Sequence, residues 1–271
     1  MGLKEKLHQN KLSGKALLAT NFYNFETISA VLTAARETNS ELILQLSESS
    51  IHYMGLDVAT ALARAAISQF GVKAWLHLDH GQDTTLVKRC IDAGFDSVMI
   101  DASEKSFSDN IKITKEIVDY AARYDINVEA ELGYISKLGQ EQKMIYTRPE
   151  EAKTFVEATG INALAVAVGS AHGFYKKAPR LQLDLIGEIN KATDAALVLH
   201  GSSGIPDDQL QGAIKKGITK INLATEIKNA FMKSLQGVLK DTDNIDLREI
   251  FPKATSAATE LVSNKLKTVN F

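Results

Sequence analysis

Short runs of aliphatic and β-branched residues recur along the whole chain, each followed by a longer stretch with helical periodicity. This rhythm constrains the fold most, because parallel strands need long crossover connections and helices supply them. Strand candidates fall at residues 16–21, 41–46, 73–79, 97–101, 127–131, 163–168, 196–200 and 220–223, with helical patterns such as 26–37, 58–69, 108–123, 150–159 and 207–216 between them. One joint repeats: Gly71-Val72, Gly94-Phe95, Gly160-Ile161 and Gly217-Ile218 each stand between a helical pattern and an apolar run. Glycine there can take the left-handed conformation that closes a helix C-terminus. About eight βα units on a chain of 271 residues predict an α/β fold, a (β/α)8 (TIM) barrel. No Ser/Gly-rich linker or composition break divides the chain, so residues 1–271 are expected to form a single domain. Residues 226–271 carry more helix than the last unit needs, and additional C-terminal helices are expected to cap the barrel or meet a neighbouring subunit.

Charge excludes several function classes. Lys+Arg and Asp+Glu nearly cancel, leaving a formal charge of -2, and no basic stretch interleaved with aromatics suggests a nucleic-acid partner. The apolar runs are too short to span a bilayer, and MGLKEKLHQN lacks a signal-peptide core, so no membrane association and a cytoplasmic location are expected. The single cysteine, Cys90, lies in the helical pattern LVKRCIDAGF and is expected to pack.

In barrels of this kind the chemistry sits where the βα loops converge, at the C-terminal ends of the strands. Polar residues gather at those ends here. His80, His172 and His200 each follow a separate strand and each abut a glycine, so three imidazoles can converge on one point above the barrel. Three histidines make a zinc site with an open coordination position for a substrate oxygen. His8, His52 and His77 lack this placement; His77 lies inside the third strand and is expected to pack or to support the ligands.

Asp79 precedes the first of these histidines, where a carboxylate can move protons or orient a ligand, and spacing leaves both roles open. Gly201-Ser202-Ser203-Gly204 and the segment Asn222, Leu223, Ala224 and Thr225 follow strands seven and eight, where barrels hold phosphate on backbone N–H groups and hydroxyls. Asp101 and Glu131 end strands four and five, placed to bind a second cation or to accept hydrogen bonds.

Five motifs, in register with the strands, carry a resemblance: LHLDHG (76–81), EAELG (129–133), VGSAHGFY (168–175), LVLHGSSGIP (197–206) and INLATEIK (221–228). Taken together they closely resemble the class II, zinc-dependent fructose-bisphosphate and tagatose-bisphosphate aldolases over nearly the whole chain. The resemblance implies that Asp79 is the proton donor and that His80, His172 and His200 bind the catalytic zinc. It matches Asp101 and Glu131 to a second, noncatalytic metal, a divalent or monovalent cation. Gly173, Gly201 to Ser203 and Asn222 to Thr225 match the positions that hold dihydroxyacetone phosphate. Glu141, on the loop after strand five, matches the glutamate that exchanges the carbon-bound proton. It further implies a sugar phosphate substrate, reversible aldol cleavage and a homodimer or homotetramer.

Two stretches depart from the family pattern. Residues 137–143 are shorter and less acidic than the corresponding loop, and Leu247 replaces a proline in the segment 246–253, near which relatives bind the distal phosphate with a second arginine. Two other readings use the same inventory: a metal-dependent hydrolase or epimerase with an activated water, and a non-catalytic sugar-phosphate-binding homologue.

Overall fold

The computed structural model describes residues 1–133, 145–173, 175, 179–240 and 242–271. Eight parallel strands close into a barrel in chain order: β1 (Leu17–Asn21), β2 (Leu42–Ser47), β3 (Ala74–Gly81), β4 (Ser97–Ile100), β5 (Asn127–Leu132), β6 (Ala163–Val166), β7 (Ala196–Leu199) and β8 (Ile218–Leu223). The described helices are α1 (Leu3–Ser13), α2 (Phe25–Glu37), α3 (Glu48–Met54), α4 (Leu56–Phe70), α5 (Thr84–Asp92), α6 (Phe107–Ala121), α7 (Pro149–Thr159), α8 (Leu183–Ala192), α9 (Asp207–Lys216), α10 (Thr225–Lys240) and α11 (Leu247–Val269). Every expected strand is present. β8 begins two residues earlier than its apolar run suggests, because Ile218 and Thr219 already pair into the sheet straight after the Gly217 cap.

Local chemistry sets the helix ends. Asn24 opens α2 with a capping box: its Oδ1 accepts from Thr27 N at 3.0 Å and the Thr27 hydroxyl accepts in return from Asn24 N at 3.1 Å. Pro149 occupies the first turn of α7, where a missing N–H costs nothing. Gly71, Gly160 and Gly217 close α4, α7 and α9 in the left-handed conformation. At the fourth repeated joint the cap of α5 is Ala93, and Gly94 takes the positive φ one residue later.

The barrel sorts its apolar side chains into two cores. Residues facing out from the strands, such as Leu18, Leu44, Leu76 and Val98, join the helix faces in one large cluster. Residues facing in, including Leu17, Ala19, Ile43, Trp75, Met99, Ala163, Ala165, Ala196 and Val198, form a second cluster completed by Leu3 and Leu7 of α1. Helix α1 therefore plugs the N-terminal end of the barrel. The Lys11 ammonium fastens the plug, donating to Asn190 Oδ1 and the Thr193 carbonyl at 2.8 Å each and to the Ala195 carbonyl at 3.1 Å. The C-terminal surplus resolves into α11, which packs against α10 and α2 and closes the outer ring. Among the described residues no helix is long and apolar enough to cross a membrane.

Candidate metal centre and substrate pocket

The opposite, C-terminal end of the barrel holds a pocket of about 190 Å³. Its lining includes Gln45, Asp79, His80, His172, His200, Asn222 and Lys228. Adjacent strand residues normally face opposite sides, yet Asp79 and His80 both line this pocket. The backbone accounts for it: His80 has φ 52, a conformation uncommon outside glycine, and the β3–β4 register shifts between Leu78 and Gly81. Only glycine fits after this bulge. A Cβ at Gly81 would stand 2.6 Å from both the Met99 carbonyl oxygen and Val87 Cγ2.

The three imidazoles named from sequence come together. One ligand nitrogen from each of His80, His172 and His200 lies within 4.8 Å of the other two. Ring centroids are 4.6 Å apart for His80 and His200, and 5.0 Å apart for His80 and His172. Gly201 lets the His172 and His200 loops approach this closely, since a Cβ there would fall 2.4 Å from the Ala171 carbonyl oxygen.

The hydrogen bonds on the far side of the rings fit a zinc ion. His80 Nδ1 bonds Asp101 Oδ2 at 2.7 Å and His200 Nε2 bonds Glu129 Oε1 at 3.0 Å, which turns His80 Nε2 and His200 Nδ1 toward each other at 2.8 Å. Carboxylates on the second ring nitrogen are the usual supports of metal-bound histidine. Tetrahedral zinc with Zn–N of about 2.0–2.1 Å needs nitrogens about 3.3 Å apart, so the rings would part by about half an ångström. Glu131 Oε2 is buried without a hydrogen-bond partner, 3.9 Å from His200 Nδ1. His80, Asp101 and Glu131 also form a compact donor group, in which Asp101 is already engaged: its Oδ1 accepts from the Ser103 hydroxyl at 2.7 Å.

Electrostatics separates the groups. Burial pushes His200 and His77 well below the ordinary imidazole value, so both are neutral. His80 feels the same burial, but the Asp79 charge and the Asp101 hydrogen bond outweigh it and lift its pKa to about 9. Burial, reinforced by the charge of Asp101, raises Glu131 to about 8. For Asp79, burial opposes ionisation, yet the charges of His80 and Lys220 and the Asn21 amide hold the carboxyl below its usual range. Asn21 Nδ2 and Gln45 Nε2 each donate to Asp79 Oδ2 at 3.2 Å, and Asn222 Nδ2 donates to Oδ1 at 3.1 Å. Asp79 is thus an ionised carboxylate held by three amides at the pocket floor.

Of the residues expected to hold phosphate, Gly173, Gly201, Ser203, Asn222, Ala224 and Thr225 line the pocket. Two do not present side chains to it. The Ser202 hydroxyl is spent on the Asn222 carbonyl at 2.5 Å, and the Leu223 side chain is buried in the outer core. Thr225 opens α10, so the positive end of that helix borders the pocket. Glu141 and residues 137–143 fall within 134–144, outside the described residues.

Sequence reasoning gave no role to Asn21, Gln45, Glu129, Lys220 or Lys228, all of which contact the site or the residues beneath it. A signal existed: His77/Asp79, Glu129/Glu131 and Lys220/Asn222 are polar pairs at period two within apolar strands. The segment near Arg248 is a different matter. Its guanidinium is exposed and bonded to Asp246, and Arg248 and Pro252 line a separate groove with Phe25 and Glu26 between α2 and α11.

A histidine-rich pocket at the mouth of a (β/α)8 barrel defines a class of barrel enzymes, and comparison with known proteins narrows it. The family model for class II fructose-bisphosphate aldolase matches residues 1–271, and the chain belongs to that family. Its fold is similar to that of the YdjI aldolase from Escherichia coli K12, with a TM-score of 0.89 and 30% identity over 98% of this chain and 96% of that one. A candidate fructose-1,6-biphosphate aldolase from Coccidioides immitis aligns with the same TM-score, 0.89, and 30% identity, over 97% of this chain and 94% of the other. Fructose-bisphosphate aldolase from Campylobacter jejuni shares the fold at a TM-score of 0.83 and 22% identity, over 98% and 93% of the two chains.

Proposed function

We propose that this chain is a zinc-dependent aldolase that reversibly cleaves a ketose (bis)phosphate, fructose 1,6-bisphosphate or tagatose 1,6-bisphosphate, into dihydroxyacetone phosphate and an aldehyde such as glyceraldehyde 3-phosphate. The observation that carries the reading is the convergence of His80, His172 and His200 beside an ionised Asp79. His80, His172 and His200 would hold the zinc, which supplies Lewis acidity toward the carbonyl oxygen next to the bond that breaks.

The rest of the chemistry belongs to side chains and backbone. Asp79 takes the proton of the C4 hydroxyl in cleavage and returns it to the aldehyde oxygen in synthesis. Asn21, Gln45 and Asn222 keep that carboxylate aimed and ionised. The loops at Gly173, Gly201 to Ser203 and Asn222 to Thr225 receive the phosphate of the dihydroxyacetone half, and their small residues admit it close to the backbone. By resemblance Glu141 exchanges the proton on the carbon of that half, and Asp101 with Glu131 accommodates a second cation. The enzyme is read as one domain, acting in the cytoplasm as a homodimer or homotetramer.

The test is a zinc-loaded cleavage assay over fructose 1,6-bisphosphate, tagatose 1,6-bisphosphate and ketose 1-phosphates, reading dihydroxyacetone phosphate. Release from at least one is expected. No release from any, with zinc demonstrably bound, would overturn the reading.

A further inference from the structure

Beneath the pocket, a line of polar side chains inside the barrel takes no part in the chemistry proposed above. Lys220 and Glu129 are both fully buried there. Lys220 Nζ donates to Glu129 Oε2 at 2.7 Å and to His77 Nε2 at 3.2 Å. The other carboxylate oxygen, Glu129 Oε1, meets His200 Nε2 at 3.0 Å. At the far end His77 Nδ1 lies 2.8 Å from Ser97 Oγ, which also accepts from Asn127 Nδ2 at 2.9 Å.

An imidazole nitrogen donates or accepts according to tautomer, but two members of this line have a single role. An ammonium only donates and an ionised carboxylate only accepts. Lys220 therefore makes His77 Nε2 an acceptor, which puts the His77 proton on Nδ1, facing Ser97 Oγ. Glu129 makes His200 Nε2 a donor, which leaves the lone pair on Nδ1, the atom 2.8 Å from His80 Nε2. Asn222 also faces His200 Nε2. Its Nδ2 gives one hydrogen to Asp79 Oδ1 and stands 3.1 Å from His200 Nε2 with the second, a competing neutral donor; the Glu129 carboxylate, a charged acceptor at 3.0 Å, outweighs it and keeps the His200 proton on Nε2.

A purely structural pair is the competing explanation, and it accounts for less. Buried ion pairs are commonly replaceable by packed apolar residues at little cost in stability. Strands β5 and β8 are not neighbours in the barrel, and the pair between them touches a histidine with each partner.

We propose that Lys220 and Glu129 are positioning residues that fix the tautomers of His77 and His200 before metal arrives, so that His200 presents the Nδ1 lone pair to the metal point. The role of that lone pair rests on the zinc reading; the tautomers are properties of the metal-free protein and are measurable without zinc.

The experiment records long-range proton–nitrogen correlations of ¹⁵N-histidine-labelled, metal-free protein, with zinc dissociation constants from chelator competition. Wild type should show neutral His200 protonated at Nε2 and neutral His77 protonated at Nδ1. Glu129→Gln offers His200 either a donor or an acceptor, so its signals should shift toward mixed tautomers and zinc should bind about 10–100-fold more weakly. Lys220→Met should reproduce the zinc loss, while Ser97→Ala, touching only the His77 end, should keep zinc affinity near wild type.

An Nδ1-protonated His200 in the wild-type protein overturns the proposal, and this arm requires no variant to fold. Expected tautomers combined with wild-type zinc affinity in a folded Glu129→Gln protein overturn the positioning role. A wild-type protein that takes up no zinc refutes the metal reading and the positioning claim together; the tautomer result tells that failure apart from a wrong hydrogen-bond assignment.

Discussion

On β1 the inward-facing residues run Leu17, Ala19, Asn21, and on β3 they run Trp75, His77, Asp79. The lower half of the barrel interior is apolar and stoppered by Leu3 and Leu7, whereas the upper half is lined by Gln45, Glu129, Lys220, Asn222 and the histidines. The same strands serve both regions, and apart from the bulge at the end of β3 it is the residue type at every second position that distinguishes them. The lower half removes apolar surface from water and stabilises the fold. The upper half carries desolvation costs that its hydrogen bonds must offset, and it gains a set of prealigned polar groups.

The sharpest test of this division replaces two residues of the upper half and one of the lower. His200→Ala should lose zinc and cleavage together, read as metal content and dihydroxyacetone phosphate release. Asp79→Ala should retain zinc while kcat falls by about 10²–10⁴-fold, the range typical of a lost proton-transfer group. Near-normal turnover in Asp79→Ala would break the assignment of that carboxylate. At the other end Leu7→Ala should cost about 2–5 kcal/mol in denaturant unfolding, as large-to-small core changes do, with kcat and metal content unchanged. A Leu7→Ala enzyme with normal stability but impaired turnover would show that the two regions are not separable.

The lower half was the more legible one. Apolar runs marked all eight strands because both faces of a parallel barrel strand are covered, and the repeated glycine joints marked where helices end. Helix α1 escaped notice because Leu3 and Leu7 are its two buried apolar residues among charged neighbours, a pattern that gains meaning only once a barrel end needs closing. In the upper half His80, His172, His200 and Asp79 stood out through their place at strand ends. Asn21, Gln45, Glu129 and Lys220 did not, since which polar residue meets which across the interior depends on closure and register. The bulge at His80, which turns two consecutive side chains into one pocket, leaves no mark on the sequence beyond the glycine that follows it.

Acidity offers a gentler way to set the two halves apart. His80 and Glu131 both have raised pKa values in the folded, metal-free protein, about 9 and about 8. Above pH 7 the unfolded chain has released both protons while the folded protein still holds them, so folding stability should fall as pH rises from 7 to 9. Zinc needs neutral imidazole, so its stabilising increment should grow across the same interval. Thermal melts with and without zinc at several pH values read both slopes. Leu7→Ala should shift every melt downward without altering either slope, because Leu7 lies in the apolar cluster at the end of the barrel opposite His80 and Glu131.

The smallest effect is expected at Lys228, on the first turn of α10. Its ammonium stands 5.5 Å from the centroid of the Tyr23 ring and lines the pocket with Thr225 and Asn222. No carboxylate pairs with it among the described residues, so its charge is available to an anionic substrate. It is also an exposed group, and exposed charge contacts are screened and individually weak. Lys228→Met should therefore raise KM for a ketose phosphate by about two- to fivefold, leave kcat unchanged, and show less effect as salt is added. A salt-independent loss of kcat would mean that Lys228 acts on the reacting atoms and that the polar half extends further up the mouth than its hydrogen bonds indicate.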